Sequence, residues 1–245
     1  MATDLRHPHG LTRPEPPTVE SGQAALLGEL AVRGWSGDLW IEHEDGAITL
    51  QKGLVIGARA AWVPTADAVV AAHSRTPTSR RTLPGNHPIT LDRIRREATL
   101  DAATALLARD GPSELTPADA ASPWADPWAL PASRVLAEVA RRLALLRALE
   151  PWVDPWTRLR RAERLSVEHI RLRPAEWEFL GAVGSDSTPV DLAHRLGSGV
   201  VESVILGYRL LTLGTLRSDR ISESENLPPI GDPPFLRSHP WRPSK

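Results

Sequence analysis

The chain of 245 residues has no cysteine, which removes disulfides, a thiol nucleophile and cysteine-ligated metals together. It has almost no lysine either: of 29 basic residues, all but Lys52 and Lys245 are arginine. It lacks a charge imbalance, with a formal net charge of −1, so no global field draws it to nucleic acid or an anionic membrane. No window reaches the roughly 18–20 unbroken apolar residues of a membrane span. The opening stretch MATDLRHPHGLTRPEPP has no apolar signal core, so no export is expected and the chain reads as cytoplasmic.

Motifs for chemistry are missing as well. Neither a Walker phosphate loop nor GxGxxG occurs, and no serine sits in a nucleophile-elbow sequence. His87, His169, His194 and His239 are isolated, and none shares a helix with a second ligand at i+4. His7 and His9 fall in a polar, proline-rich tail and read as solvated. The one dense cluster of acid–base types, His43-Glu44-Asp45, precedes a turn and reads as solvated too. No catalytic, cofactor-binding or metal-ligating residue is assigned, and the chain is expected not to be an enzyme.

What is present is organised around Trp35–Arg59. Leu39 and Ile41, then Ile48 and Leu50, then Leu54, Ile56 and Ala58 each recur with period two, the mark of half-buried strands. Asp45-Gly46 and Lys52-Gly53 are tight-turn pairs, with glycine expected to take the positive φ. The expectation is an antiparallel meander with Leu39, Ile41, Ile48, Leu50, Leu54 and Ile56 covered by helices. Trp40, Thr49 and Val55 should then lie on the opposite face.

Composition divides the chain into a disordered tail at 1–18 and an α+β domain at 19–150. A Pro/Trp/Arg connector follows at 151–169, a small helical domain at 170–219 and a second disordered tail at 220–245. The first domain should hold a helix over Ser21–Arg33, a short helix after Thr65, and a polar loop carrying Arg80-Arg81. A helix starting at Thr90, a brief edge strand near Glu114–Thr116 and an extended Ser122–Pro131 segment come next. Its clearest helix spans Pro131–Leu149, with Val135, Leu136, Val139, Leu143 and Leu146 on one stripe and Arg142 mostly off it. The run Arg158, Arg160, Arg161, Arg164 in the connector reads as a solvated helix face or a strut. In the last domain, Pro174 starts a helix with Trp177, Leu180 and Val183 inward. Thr188-Pro189-Val190-Asp191 caps a second helix that stops at Gly197. A third carries Val201 to Leu211 and stops at Gly214, and Thr215–Ser218 begins a wing. The expected fold class is α+β: an antiparallel sheet of three to five strands covered by helices, then a winged-helix-like domain.

GELAVRGWSGDLWIE, DGAITLQKGLVIGARA and ASRVLAEVARRLALL together resemble the PATAN-type bacterial regulatory domain, whose pattern falls here on Ser36, Gly37, Gly53 and Ala58. LRPAEWEFLGAVGSDSTPVDLAHRLG with VILGYRLLTLGTL is similar to the small winged-helix domain that often follows it. The loop from Ser74 to Pro88 is long for that pattern. The resemblance implies no catalytic residues. It implies signalling partners: receiver domains, histidine kinases and small GTPase systems.

Two functions follow. The favoured one is a non-catalytic regulator or adaptor acting through protein contacts. Trp40, Trp124, Trp128, Trp152 and Trp156 are its candidate contacts, because tryptophan is enriched in interface hot spots. Trp35, Trp40, Trp62 and Trp177 also suit a core. The alternative is a DNA-binding transcriptional regulator, with Arg195, Arg209 and Arg217 touching the nucleic acid. The third helix, GVVESVILGYRLLTLG, offers only Arg209 as a base, where recognition helices present several Arg, Lys, Asn or Gln.

Overall fold

The computed structural model describes residues 22–75, 88–118, 129–165 and 169–221. The chain divides into two compact units, Met1–Ala66 with Arg80–Arg147, and Asp67–Ser79 with Ala148–Lys245. The architecture is α+β.

The first unit begins with α1 (Gly22–Val32), then β1 (Gly37–Ile41), β2 (Gly46–Gln51) and β3 (Leu54–Arg59). Helix α3 (Pro88–Leu106) follows, with β4 (Ser113–Pro117), β5 (Leu130–Pro131) and α4 (Ala132–Leu149). Helix α2 (Ala66–Arg75), assigned on sequence to the first domain, falls almost wholly in the second unit. The five strands form one antiparallel sheet in the order β4-β1-β2-β3-β5, with the edge strand near Glu114–Thr116 pairing with β1.

The two turns differ. Lys52 and Gly53 both take positive φ, 49° and 77°, as a two-residue hairpin with primed geometry requires. At the first turn it is Asp45, not Gly46, that is left-handed (φ 44°), because residues Glu42–Glu44 form a turn of 3₁₀ helix. Gly46 is needed for space instead. A Cβ there would fall 2.3 Å from the Arg59 carbonyl oxygen and 2.7 Å from Leu106 Cδ2, so its absence lets α3 sit on the sheet.

Leu39, Ile41, Ile48 and Leu50 are buried beneath the helices, as the alternation predicts. The prediction fails on β3: Val55 is fully buried and Leu54 is 39% exposed. Thr49 pairs with Gly57, but the next residue, Leu50, pairs with Val55. Ile56 is therefore an extra residue in a bulge, and one extra residue inverts the faces of everything beyond it.

Helix α4 also carries a residue that the stripe left out. Arg142 is buried, and its guanidinium donates through Nη1 to Asp101 Oδ1 (2.6 Å), Nη2 to Glu97 Oε2 (2.6 Å) and Nε to Glu138 Oε1 (2.8 Å). Arg142 lies three residues after Val139 and seven after Val135, so helical spacing puts it on the buried face. Asp101 and Glu97, one turn apart on α3, draw it inward and compensate its charge.

The second unit contains β6 (Leu159–Arg161), α5 (Pro174–Ala182), α6 (Pro189–Leu196), α7 (Val200–Thr212) and β7 (Leu216–Ser218). The three helices pack on one another, and β7 returns to pair antiparallel with β6. Of residues 151–169, expected as a connector, the described stretch through 165 supplies structure to this unit: Val153 and Leu159 are fully buried and β6 is one strand of the wing. The cap at Thr188 forms as its sequence indicates, with Thr188 Oγ1 accepting from the Asp191 amide (3.2 Å) and the Thr188 amide donating to Asp191 Oδ2 (3.0 Å). Helix α5 is rotated from its expected phase. Trp177 is 67% exposed, while Glu176 and Phe179 are buried; Val183, just past the helix end, is buried as expected. Glu176 turns inward because it caps its own helix, accepting from the Arg173 amide at 2.7 Å, and pairs with Arg209 on α7 at 2.7 Å.

Replacing Arg142 by alanine leaves the buried carboxylate of Asp101 uncompensated and should lower the opening free energy of α3 and α4 by about 3–5 kcal/mol. Amide hydrogen exchange reads this directly; unchanged protection in both helices refutes it. Burial pushes the Glu138 carboxyl up, but hydrogen bonds and charge from Arg141 and Arg142 outweigh it, so Glu138 ends below the ordinary carboxylate range. Its contribution is then complete above the unfolded value of about 4.3 and fades as pH falls through the folded value. Glu138→Gln should flatten that acid-side loss in a pH series of unfolding midpoints.

Candidate functional site

The face of the sheet opposite α3 is built from two rungs. The first runs Glu114, Trp40, Ala47, Arg59 across β4, β1, β2 and β3. Residues directly opposite one another in antiparallel strands point to the same face. Ala47 is small, so the Arg59 guanidinium crosses it and lies over the Trp40 ring, 5.4 Å from the centroid. Ala47 is buried, while Trp40 stays half-exposed and Arg59 exposed. A guanidinium over an indole face is attracted by the ring quadrupole, by about 0.5–1 kcal/mol at an exposed site.

The second rung runs Thr116, Asp38, Thr49, Gly57. Thr49 Oγ1 donates to Asp38 Oδ1 at 2.6 Å. Between this rung and the bulge lies an open recess of about 260 Å³, lined by Ser36, Asp38, Thr49, Gln51, Ile56 and Thr116 among others. The bulge that inverted β3 thus also makes one wall of the recess. Chemically the face offers a fixed aromatic ring, a carboxylate and hydroxyls, the mixture that a protein contact uses for an anchor and its polar surround.

The other tryptophans divide. Trp152 is a staple: its ring meets the edge of Tyr208 at 5.5 Å and 62°. Trp156 is 41% exposed, and its amide donates to Asp154 Oδ1 (2.9 Å). Trp177, expected in the core, is open instead. Trp35 is half-buried, its ring pressed on Gly37, where a Cβ would fall 2.6 Å from Cη2. Trp124, Trp128, the two tails and most of the Ser74–Pro88 and Ser122–Pro131 segments lie outside the described residues, as do His7, His9, His87, His239, Arg80 and Arg81.

The arginines of the DNA alternative are scattered in role. Arg209 pairs with buried Glu176. Arg195 is exposed and donates to the Ala182 carbonyl. Arg217 is exposed on β7. Helix α7, the expected recognition helix, is buried on nearly every side, with Val200, Val201, Val204, Ile205, Leu206, Tyr208, Leu210 and Leu211 all inside. Gly207 permits this, since a Cβ there would approach Leu159 Cδ1 to 3.0 Å. A helix so enclosed presents no continuous face to a major groove.

In His43-Glu44-Asp45, His43 and Asp45 are exposed as expected, but Glu44 is partly buried. Glu44 accepts from Trp62 Nε1 at 2.6 Å, with Arg109 and His43 each 4.0 Å away. The 3₁₀ turn ends the strand alternation at Ile41, so Glu44 swings inward. Its carboxylate is tied into the fold rather than aimed at an open cleft. Among the described residues, no three His, Asp or Glu side chains converge where they could hold a metal ion, and no helix is long and apolar enough to cross a membrane.

Arg209→Ala should destabilise the second unit by about 3–5 kcal/mol, because Glu176 is left buried and unpaired. Arg217→Ala should change it by less than about 0.5 kcal/mol. Thermal unfolding of the two variants distinguishes the roles, and equal losses would refute the assignment. Searches against protein-family models, curated proteins and solved structures find no match for this chain.

Proposed function

We propose that this chain is a non-catalytic regulatory adaptor of bacterial signal transduction, working in the cytoplasm through protein–protein contacts. The observation that carries this reading is the rung Glu114–Trp40–Ala47–Arg59 beside its recess. A large aromatic ring is held half-exposed in one orientation by a cation, on a rigid sheet, with carboxylate and hydroxyl groups around it. Pre-orienting an anchor in this way reduces the ordering cost of binding. The resemblance to PATAN-type domains supports the same class and points to a receiver domain, a kinase or a small GTPase as the partner. Against the DNA-regulator alternative stand the enclosure of α7 and the commitment of Arg209 to Glu176.

A photo-crosslinking residue placed at exposed Thr116 tests this in cells of a bacterial host carrying the native partners. The expected product is a crosslink to a receiver, kinase or GTPase protein, reduced about tenfold or more by Trp40→Ala, the scale of an interface hot spot. Crosslinks that persist unchanged in Trp40→Ala, or fail to form while the variant stays folded by circular dichroism, defeat the proposal.

A further inference from the structure

We infer that the β6–β7 hairpin is a receptor for a compact phosphate dianion, a phosphate monoester carried by a protein partner. Arg160 on β6 and Arg217 on β7 are direct cross-strand neighbours. Residues so placed have Cβ atoms about 4.5–5.5 Å apart, and like charges there oppose each other. The residues beneath are buried: Leu159 and Ser218 on one side, Leu216 on the other. Arg160 and Arg217 therefore share the outward face, and both are exposed.

Three neighbouring arginines, Arg158, Arg161 and Arg220, are engaged. Arg158 Nη1 donates to Asp186 Oδ2 at 2.9 Å. Arg161 caps the end of α5, donating to the carbonyls of Leu180 (3.0 Å) and Gly181 (2.6 Å). Arg220 donates to the Glu150 carbonyl (2.8 Å) and to Asp154. Among the described residues, Arg160 and Arg217 alone on this hairpin have guanidinium groups that meet no carboxylate or carbonyl. Two guanidinium forks with ten N–H donors between them suit the terminal oxygens of one dianion, and a bound dianion relieves their repulsion.

The choice of a monoester over a nucleic-acid backbone comes from the surroundings. Glu163, Asp186 and Asp219 are exposed within two residues of the hairpin arginines or bonded to one of them. They leave room for a single compact anion. A strand of successive phosphates would have to lie over them, against repulsion, whereas duplex binders neutralise many phosphates at once. The inference rests on the protein-contact reading only for what carries the phosphate. The anion site itself is tested without any partner, so the two can fail separately.

Full-length protein labelled with ¹⁵N in arginine is titrated with phenyl phosphate, and the Nε–Hε signals are followed by NMR. Saturable shifts of the Arg160 and Arg217 signals are expected, weakened about tenfold or more in Arg160→Gln/Arg217→Gln, whose exposed positions leave folding intact. A parallel titration with a short DNA duplex should show no tighter binding per phosphate. Absent or non-saturating shifts, or shifts unaltered by the double substitution, overturn the site. Duplex binding more than tenfold tighter through the same two arginines, with a steep salt dependence, overturns the monoester in favour of a nucleic-acid backbone.

Discussion

The first unit depends on one buried guanidinium. Arg142 joins α4 to two carboxylates of α3 and one of its own helix, and α3 in turn lies on β2 and β3. Burial alone would favour a neutral group at this position, yet the combined charge of Asp101, Glu97 and Glu138 holds Arg142 firmly protonated. An apolar residue of similar volume would hold the helices together with less risk, since a buried ion pair is weak as a stabiliser and severe when half of it is lost. What the ionic version adds is direction. Two hydrogen bonds to α3, with Glu138 holding the guanidinium from its own helix, fix the rotation and register of α4 on α3, which an apolar contact leaves looser.

That roofing leaves the opposite face of the sheet to be decided by strand register. The sequence shows which strands exist, because alternation and turn pairs are local signals. It does not show a bulge, because a bulge depends on which partner residue a strand finds across the sheet. Leu54, Val55 and Ile56 are all apolar, so neither phase of β3 looks wrong when read alone. Only Thr49 and Leu50, paired with Gly57 and Val55, reveal the skipped Ile56. The outer rung was legible in part: Trp40 was placed on that face, whereas Arg59 reaches it only through a cross-strand pairing with Ala47.

In the second unit the same division holds. The cap at Thr188, the first-turn Pro189 and the stop at Gly197 lie within a few residues of one another, and the structure contains each of them. The phase of α5 was not legible. Helical spacing permits Trp177 or Glu176 to face inward, and hydropathy argues for the tryptophan. The pairing of Glu176 with Arg209, 33 positions away in sequence, argues for the acid, and it prevails because one carboxylate both caps α5 and neutralises α7. Charges at core positions of periodic helices, Arg142 and Glu176 alike, were the available signal: each marks a partner elsewhere in the chain.

The arginines show where fold ends and surface chemistry begins. This chain uses arginine for nearly all its positive charge, and several of those described in the second unit are consumed by structure: Arg161 on helix carbonyls, Arg209 on a buried acid, Arg220 on a loop. An arginine run in sequence is therefore a poor guide to a nucleic-acid surface here. The informative pair is the one left over on the hairpin. Arg160 and Arg217 come together only because Leu159–Arg161 form a strand where a linker was expected, so no reading of the run could have joined them. Their mutual repulsion is small in water and salt, and the fold tolerates it. The same repulsion works in favour of any compact anion that arrives, since it is relieved on binding without a rearrangement of the hairpin.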